Sequence, residues 1–309
     1  MREAIRKISF IFWAIMILLF NKIPCYAAEI PDISTPSYAV IDACSGEILY
    51  SKNGEIPIYP ASSVKLVTAM VVIDSVPLDK TIVVTNKMLQ HVPADAAQIG
   101  LRAGGEYTVY ELLHMLLISS AADAAQVLAE GCFQSYDECV LKMNEKVMML
   151  GLKQTMFDNV IGLDIGNGYT NTYTTPHDFV QLCRYAMSYD VIREIVKMPA
   201  YSIAPRTNNN GFSKKSTNRF YSIEPYSREM YTVIGSKTGT TCNAGNVLVT
   251  TATDGVHEVI CVSFKNGTRH EAYTETRKVL DYIFTMKNAG NLSLASLDYH
   301  EWYLFQPNI

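Results

Sequence analysis

Short apolar runs of strand length stand near both ends of this chain, and longer runs of helix length fill its middle. Tyr38-Ala-Val-Ile-Asp-Ala-Cys44 reads as a strand, Ser45-Gly46 as a turn, and Glu47-Ile-Leu-Tyr-Ser51 as the hairpin partner. From Val64 to Ile73 nearly every residue is apolar, the mark of a helix buried on all sides. Thr81 to Thr85 reads as a short strand. Helices are predicted over Tyr107 to Leu117 and Ala121 to Glu130, meeting at Ser119-Ser120, and over Ser135 to Leu150, closed by Gly151. A loop-rich stretch, Asn159 to Thr175, leads to a helix from Pro176 to Met187, with proline at an N-terminal position where its missing N–H costs nothing. Strands follow over Tyr231 to Thr240, Asn246 to Ala252 and Val256 to Phe264, the last two joined by a tight turn at Asp254-Gly255. Arg269 to Met286 reads as an amphipathic helix. Strands at both ends with helices between them predict a mixed α/β (α+β) fold. One antiparallel sheet is assembled from both termini and flanked by helices, with an all-helical subdomain beside it.

A chain of 309 residues, 49% of them hydrophobic, can bury a large core. Its N-terminus stands apart from that core. Arg2, Arg6 and Lys7 precede an apolar run from Ile8 to Phe20, and Cys25-Tyr-Ala27 then supplies small residues at the −3 and −1 positions. This layout predicts a secretory signal peptide over residues 1–27, cleaved before Ala28. The alternative, an uncleaved anchor, suffers because a bilayer needs about 20 apolar residues and this run is shorter. Residues 28–286 are then the working domain and 287–309 a short C-terminal tail. Losing the leader removes four basic residues and one acid, which takes the net charge from −4 to −7. An acidic, exported protein without a basic cluster is a poor nucleic-acid binder. No later run is long enough to span a membrane. The six cysteines beyond the leader have no framework spacing, Cys132 and Cys139 forming the only near pair. No Cys/His cluster has metal-ligand spacing, so neither a metal nor a cofactor is expected.

Ser62-Ser63-Val64-Lys65 changes the picture from architecture to chemistry. Residues three apart share a helical face, so Ser62 and Lys65 can touch. Apolar surroundings penalise the charged amine, and a neutral lysine can take the proton of a serine hydroxyl. The spacing alone is weak, because a Ser-x-x-Lys match arises roughly once by chance in a chain of this size. Two further polar signals sit at element ends. Ser120, at the junction of two helices, can relay a proton to a leaving amine, though a helix cap is its simpler role. Lys237-Thr238-Gly239-Thr240 closes a strand with a cation, two hydroxyls and a glycine that admits a close backbone, a set suited to a peptide C-terminus.

In that order the three motifs resemble those of the serine D-Ala-D-Ala carboxypeptidases, the low-molecular-mass penicillin-binding proteins of the β-lactamase/transpeptidase-like superfamily. The likeness runs from about Tyr38 to Phe284 and includes Pro60-Ala61, Ile99-Gly-Leu-Arg-Ala-Gly104, Asp123-Ala-Ala, Asn159-Val-Ile-Gly-Leu163 and Ser216-Thr-Asn218. The resemblance implies an exported cell-envelope enzyme that trims peptidoglycan stem peptides ending in D-Ala-D-Ala and that β-lactams inhibit covalently. It makes Ser62 the nucleophile, Lys65 its base and Ser120 the relay to the departing D-Ala. Lys237, Thr238, Gly239 and Thr240 become the carboxylate-binding strand, with an oxyanion hole at the N–H groups of Ser62 and Thr240. One departure stands out: Ala122 occupies the place of the second motif's asparagine, whose amide would orient Lys65. Asn243 and Asn246 are candidate substitutes, and Ala122→Asn is expected to raise activity. The departure also motivates a rival reading as a weakly active or non-catalytic penicillin- or peptidoglycan-binding protein. A class A-like β-lactamase needs a Glu-x-x-Leu-Asn element, for which the nearest string is Glu138-Cys-Val-Leu-Lys142.

Overall fold

The structure, a computed structural model, describes residues 31–163, 171–221 and 229–288. The expected leader and nearly all of the expected tail lie outside the described residues. Five strands, β1 (Ser37–Asp42), β2 (Ile48–Lys52), β7 (Thr232–Thr241), β8 (Gly245–Thr253) and β9 (Glu258–Asn266), form one antiparallel sheet in the order β2-β1-β9-β8-β7. The N-terminal β1 pairs with the C-terminal β9, so the sheet is assembled from both ends of the chain as the apolar pattern predicts. Two helices cover it: α6 (Pro176–Ala186) packs on β1 and β9, and α8 (Arg269–Asn288) packs on β8 and β9. Closure of the sheet leaves β7 as an edge strand, with alternate backbone groups facing away from β8.

The helical part lies between β2 and β7 in sequence. Ala61–Val64 forms one 3-10 turn that runs directly into α1 (Lys65–Ser75). Around α1 stand α3 (Val109–Ile118), α4 (Ala122–Cys132) and α5 (Tyr136–Met149), with the short β3 (Thr81–Val83), α2 (Asn86–Leu89) and β4 (Glu106–Thr108) at its border. The run from Lys65 to Val72 is buried throughout, as an all-apolar helix requires. Further elements are α7 (Asp190–Val196) and a hairpin of β5 (Ala200–Ile203) and β6 (Phe212–Lys215).

Several boundaries differ from the sequence expectation for identifiable reasons. Tyr107 belongs to β4 rather than to the helix, because Thr108 caps α3: its hydroxyl accepts the Glu111 N–H while the Glu111 carboxylate accepts the Thr108 N–H. The turn between β8 and β9 spans Asp254–His257 rather than two residues, closed by the Asp254 carboxylate accepting the N–H groups of Val256 and His257. The last helix runs past Met286, and Lys287 pairs with Asp42 at 2.7 Å. The β5–β6 hairpin and α7 had no signal strong enough to be read. All six cysteines of the described residues are free thiols, so Cys132 and Cys139 are unbridged; Cys139, Cys183 and Cys261 are buried, whereas Cys44 and Cys242 are exposed. No helix of the described residues is long and apolar enough to cross a membrane.

Candidate active site

The 3-10 turn presents Ser62 at the start of the buried helix. Lys65 follows one turn later, and its Nζ lies 2.9 Å from Ser62 Oγ and 2.9 Å from the carbonyl oxygen of Ile161. Lys65 is 1% exposed. Burial holds its pKa well below the usual lysine range; the charge of nearby Lys237 pushes it further down and that of Asp123 opposes the shift. The site thus contains a hydroxyl in contact with an amine whose charged form is disfavoured by burial.

The Ile161 carbonyl is itself built. Buried Asn159 accepts the N–H groups of both Ile161 and Gly162 through Oδ1, which curls the segment and aims that carbonyl at Lys65. Gly162 has φ +73°, and a Cβ there would fall 1.9 Å from the Ala61 carbonyl oxygen, so only glycine fits. Ala122, in the place of the expected asparagine, is fully buried among apolar side chains, and its N–H donates to the Ala97 carbonyl. Asn246 does not take over the missing contact. Its Oδ1 accepts from Thr240 Oγ1 and its Nδ2 donates to the carbonyls of Asn266 and Gly267. The carbonyl of Ile161 occupies that role instead.

Ser120 and the Lys237 motif meet on the other side of Ser62. Lys237 Nζ donates to Ser120 Oγ at 2.9 Å and to the Thr238 carbonyl at 2.8 Å. Burial alone lowers its pKa to about 7. Gly239 gives β7 its close approach: a Cβ there would stand 2.9 Å from Ser62 N and from the Ala61 Cβ. Two residues of this site, Ala61 and Ser120, hold positive φ of +48° and +60° without being glycine. Such backbones cost about 1–3 kcal/mol each and persist where the surroundings dictate them.

These groups open onto a cleft of about 340 Å³ lined by Ser62, Lys65, Ser120, Thr238, Gly239 and Thr240. Lys237 is buried just behind them, its amine donating to Ser120 and to its own strand. Sequence reasoning assigned no role to several residues of the wall: Asp95, Ala96 and Ala97 from the loop before β4, Thr217 and Arg219 after β6, and Arg269 and Tyr273 from α8. Thr217 joins the strand through its hydroxyl, 2.8 Å from that of Thr238, and Tyr273 accepts the Arg219 N–H. Of these only Ser216-Thr-Asn218 carried any signal, by its likeness to a family segment; the others come together from unconnected loops. Glu138, the nearest match to a lactamase-type glutamate, instead accepts the Gln134 N–H at the start of α5.

Comparisons with known proteins place the whole chain. The sequence profile of a family described as "D-alanyl-D-alanine carboxypeptidase" matches residues 25–268. The D-alanyl-D-alanine carboxypeptidase DacF of Bacillus subtilis is 31% identical over 253 residues, 81% of this chain but only 62% of that protein. DacB2 of Mycobacterium tuberculosis, also named a D-alanyl-D-alanine carboxypeptidase, is 31% identical over 237 residues, 77% of each chain. The crystal structure of the Streptomyces K15 DD-transpeptidase superposes with a TM-score of 0.73 at 29% identity, covering 82% of this chain and 98% of that one. With the motif order, the sheet drawn from both termini and the Ser62–Lys65 contact all in place, the chain belongs to the D-alanyl-D-alanine carboxypeptidase family.

Proposed function

We propose that this protein is a serine D-Ala-D-Ala carboxypeptidase that removes the terminal D-Ala from peptidoglycan stem pentapeptides through an acyl-enzyme on Ser62. The observation that carries the reading is the contact of 2.9 Å between Ser62 Oγ and a buried lysine amine. Neutral Lys65 takes the hydroxyl proton as Ser62 attacks the carbonyl of the penultimate D-Ala. The N–H of Ser62, an unpaired donor in the first helical turn, and that of Thr240 on the edge strand receive the developing oxyanion. Ser120 hands a proton to the leaving D-Ala, and Lys237 Nζ, bonded to that hydroxyl, supplies positive charge beside it for the substrate's terminal carboxylate. The terminal carboxylate goes to the hydroxyls of Thr238 and Thr240 and to the guanidiniums that line the cleft, Arg219 and Arg269. Water then releases the acyl group. β-Lactams acylate the same serine because they imitate the D-Ala-D-Ala end. The domain of residues 28–286 acts in the cell envelope after the leader is removed, in cell-wall maturation.

Ala122 favours one rival, a penicillin- or peptidoglycan-binding protein that turns over poorly or not at all. A single comparison decides between them. Purified protein is incubated with a pentapeptide ending in D-Ala-D-Ala and free D-Ala is measured, with intact mass recorded after penicillin treatment. D-Ala release that disappears in Ser62→Ala is the expected result. A stable penicilloyl adduct without D-Ala release would establish the binder, and rapid penicillin turnover a lactamase.

A further inference from the structure

Charge is distributed unevenly around the Ser62 cleft. Its two exposed or half-exposed cations, Arg219 and Arg269, come from the segment after β6 and from the start of α8. Asp95 is the one carboxylate among the described lining residues, and it comes from the helical part. It is exposed, and among the described residues no hydrogen bond or ion pair engages it. The backbone that carries it is nonetheless tied down. The Ala96 N–H closes a turn onto the Pro93 carbonyl, and the Ala97 carbonyl accepts the N–H of Ala122, two residues beyond Ser120. Buried Asp123 then accepts the N–H groups of Ile99, Gly100 and Leu101, locking the rest of the loop to the start of α4. An unpaired carboxylate therefore lines the cleft on a segment whose backbone is hydrogen-bonded next to the proposed proton relay.

A cleft with an anionic wall and a cationic wall orients a substrate that carries both signs. A stem peptide ending in D-Ala-D-Ala has its terminal carboxylate on one side of the scissile bond. On the other side, one residue before the acylating D-Ala, stands a diamino residue whose side-chain amine is cationic when free and neutral once acylated in a cross-link. Asp95 repels the carboxylate and attracts the amine, and the guanidiniums do the reverse. We infer that Asp95 is a specificity-determining residue that binds the free side-chain amine of that diamino residue, so that the enzyme selects stems whose amine is not acylated. The inference rests on the carboxypeptidase reading of the site and adds to it the identity of the substrate's second recognised group.

The test compares Nα-acetyl-L-Lys-D-Ala-D-Ala with its Nα,Nε-diacetyl counterpart, reading kcat/KM for D-Ala release. A partly exposed ion pair predicts a preference of about three- to fivefold for the free amine, diminishing at high ionic strength. Asp95→Asn brings the ratio near one, Asp95→Glu retains a preference and Asp95→Lys reverses it. A ratio near one in the natural protein, or a preference that survives in Asp95→Asn, overturns the inference while D-Ala release from both peptides upholds the carboxypeptidase reading. Absence of D-Ala release from either peptide overturns that reading instead. The two peptides are then compared as competitors of Ser62 acylation by a fluorescent penicillin, where equal protection, or none, overturns the role of Asp95 as well.

Discussion

Lys65 and Lys237 are both buried to 1% exposure, but the structure commits them differently. Lys65 touches Ser62, the proposed nucleophile, and opens onto the cleft, whereas Lys237 lies behind Ser120. Because Lys237 charge depresses the Lys65 pKa, removing it lets that pKa rise. Lys237→Met should accordingly move the acidic limb of the pH profile for penicillin acylation to higher pH, besides slowing the reaction; an unmoved limb would mean that the two amines do not interact. The same substitution has an opposite consequence for stability. The folded-state pKa of about 7 lies below the unfolded value, so between pH 7 and about 10 the unfolded chain binds more protons, and stability rises with pH. The cost of burying this amine is fully present below pH 7. Lys237→Met should thus be the more stable protein at pH 6, by about 2–5 kcal/mol, with the advantage shrinking towards pH 10 in paired denaturant titrations. A residue that destabilises its fold while serving the site is what a functional assignment predicts.

At the level of elements, the segment from Asn159 to Leu163 answers the question raised by Ala122. A single buried amide, Asn159 Oδ1, holds two backbone N–H groups and through them the Ile161 carbonyl. Asn159→Ala leaves both donors unpaired in the interior, a loss of about 2–4 kcal/mol that lowers Tm by roughly 5–10 °C and slows penicillin acylation through a misplaced Lys65. Ala122→Asn, by contrast, would insert an amide among apolar neighbours while Lys65 already has its acceptor. It should lower Tm and leave acylation within about threefold of the natural rate, so the gain expected from sequence alone is revised by the packing. What was legible in the sequence here was whatever lay within one element. Ser62 and Lys65 share a turn, Lys237 to Thr240 share a strand, and Ser120 marks a junction. The Ile161 carbonyl, the arginines and Asp95 act by tertiary proximity and leave no periodic trace. The Thr108-x-x-Glu111 capping box, by contrast, is a local signal that marks the start of α3 within the sequence itself.

For the whole molecule, the decisive event is the pairing of β1 with β9, which brings the two ends of the described chain into one sheet and leaves β7 as its open edge beside Ser62. Periodicity indicated the strands at both ends, but not how the last helix would be fastened. That fastening is a half-buried ion pair: Lys287, 4% exposed, donates at 2.7 Å to the partly exposed Asp42 at the end of β1. Burial would raise the Asp42 pKa, yet Lys287 and the N–H groups of Ser45 and Cys44 outweigh it and the net shift is downward. A carboxyl lowered in the folded state stabilises the fold above its unfolded pKa, near 4, and that contribution disappears as pH falls through the folded value. Lys287→Met strands the Asp42 carboxylate, at a cost of about 1–3 kcal/mol at neutral pH. Since Asp42 and Lys287 stand apart from the cleft lining, Tm should fall by roughly 3–10 °C with acylation of Ser62 by penicillin unchanged at low temperature. The deficit should narrow below pH 4, where protonated Asp42 no longer needs a partner. A variant that lost stability equally at all pH values would show that Lys287 contributes through packing of α8 rather than through charge.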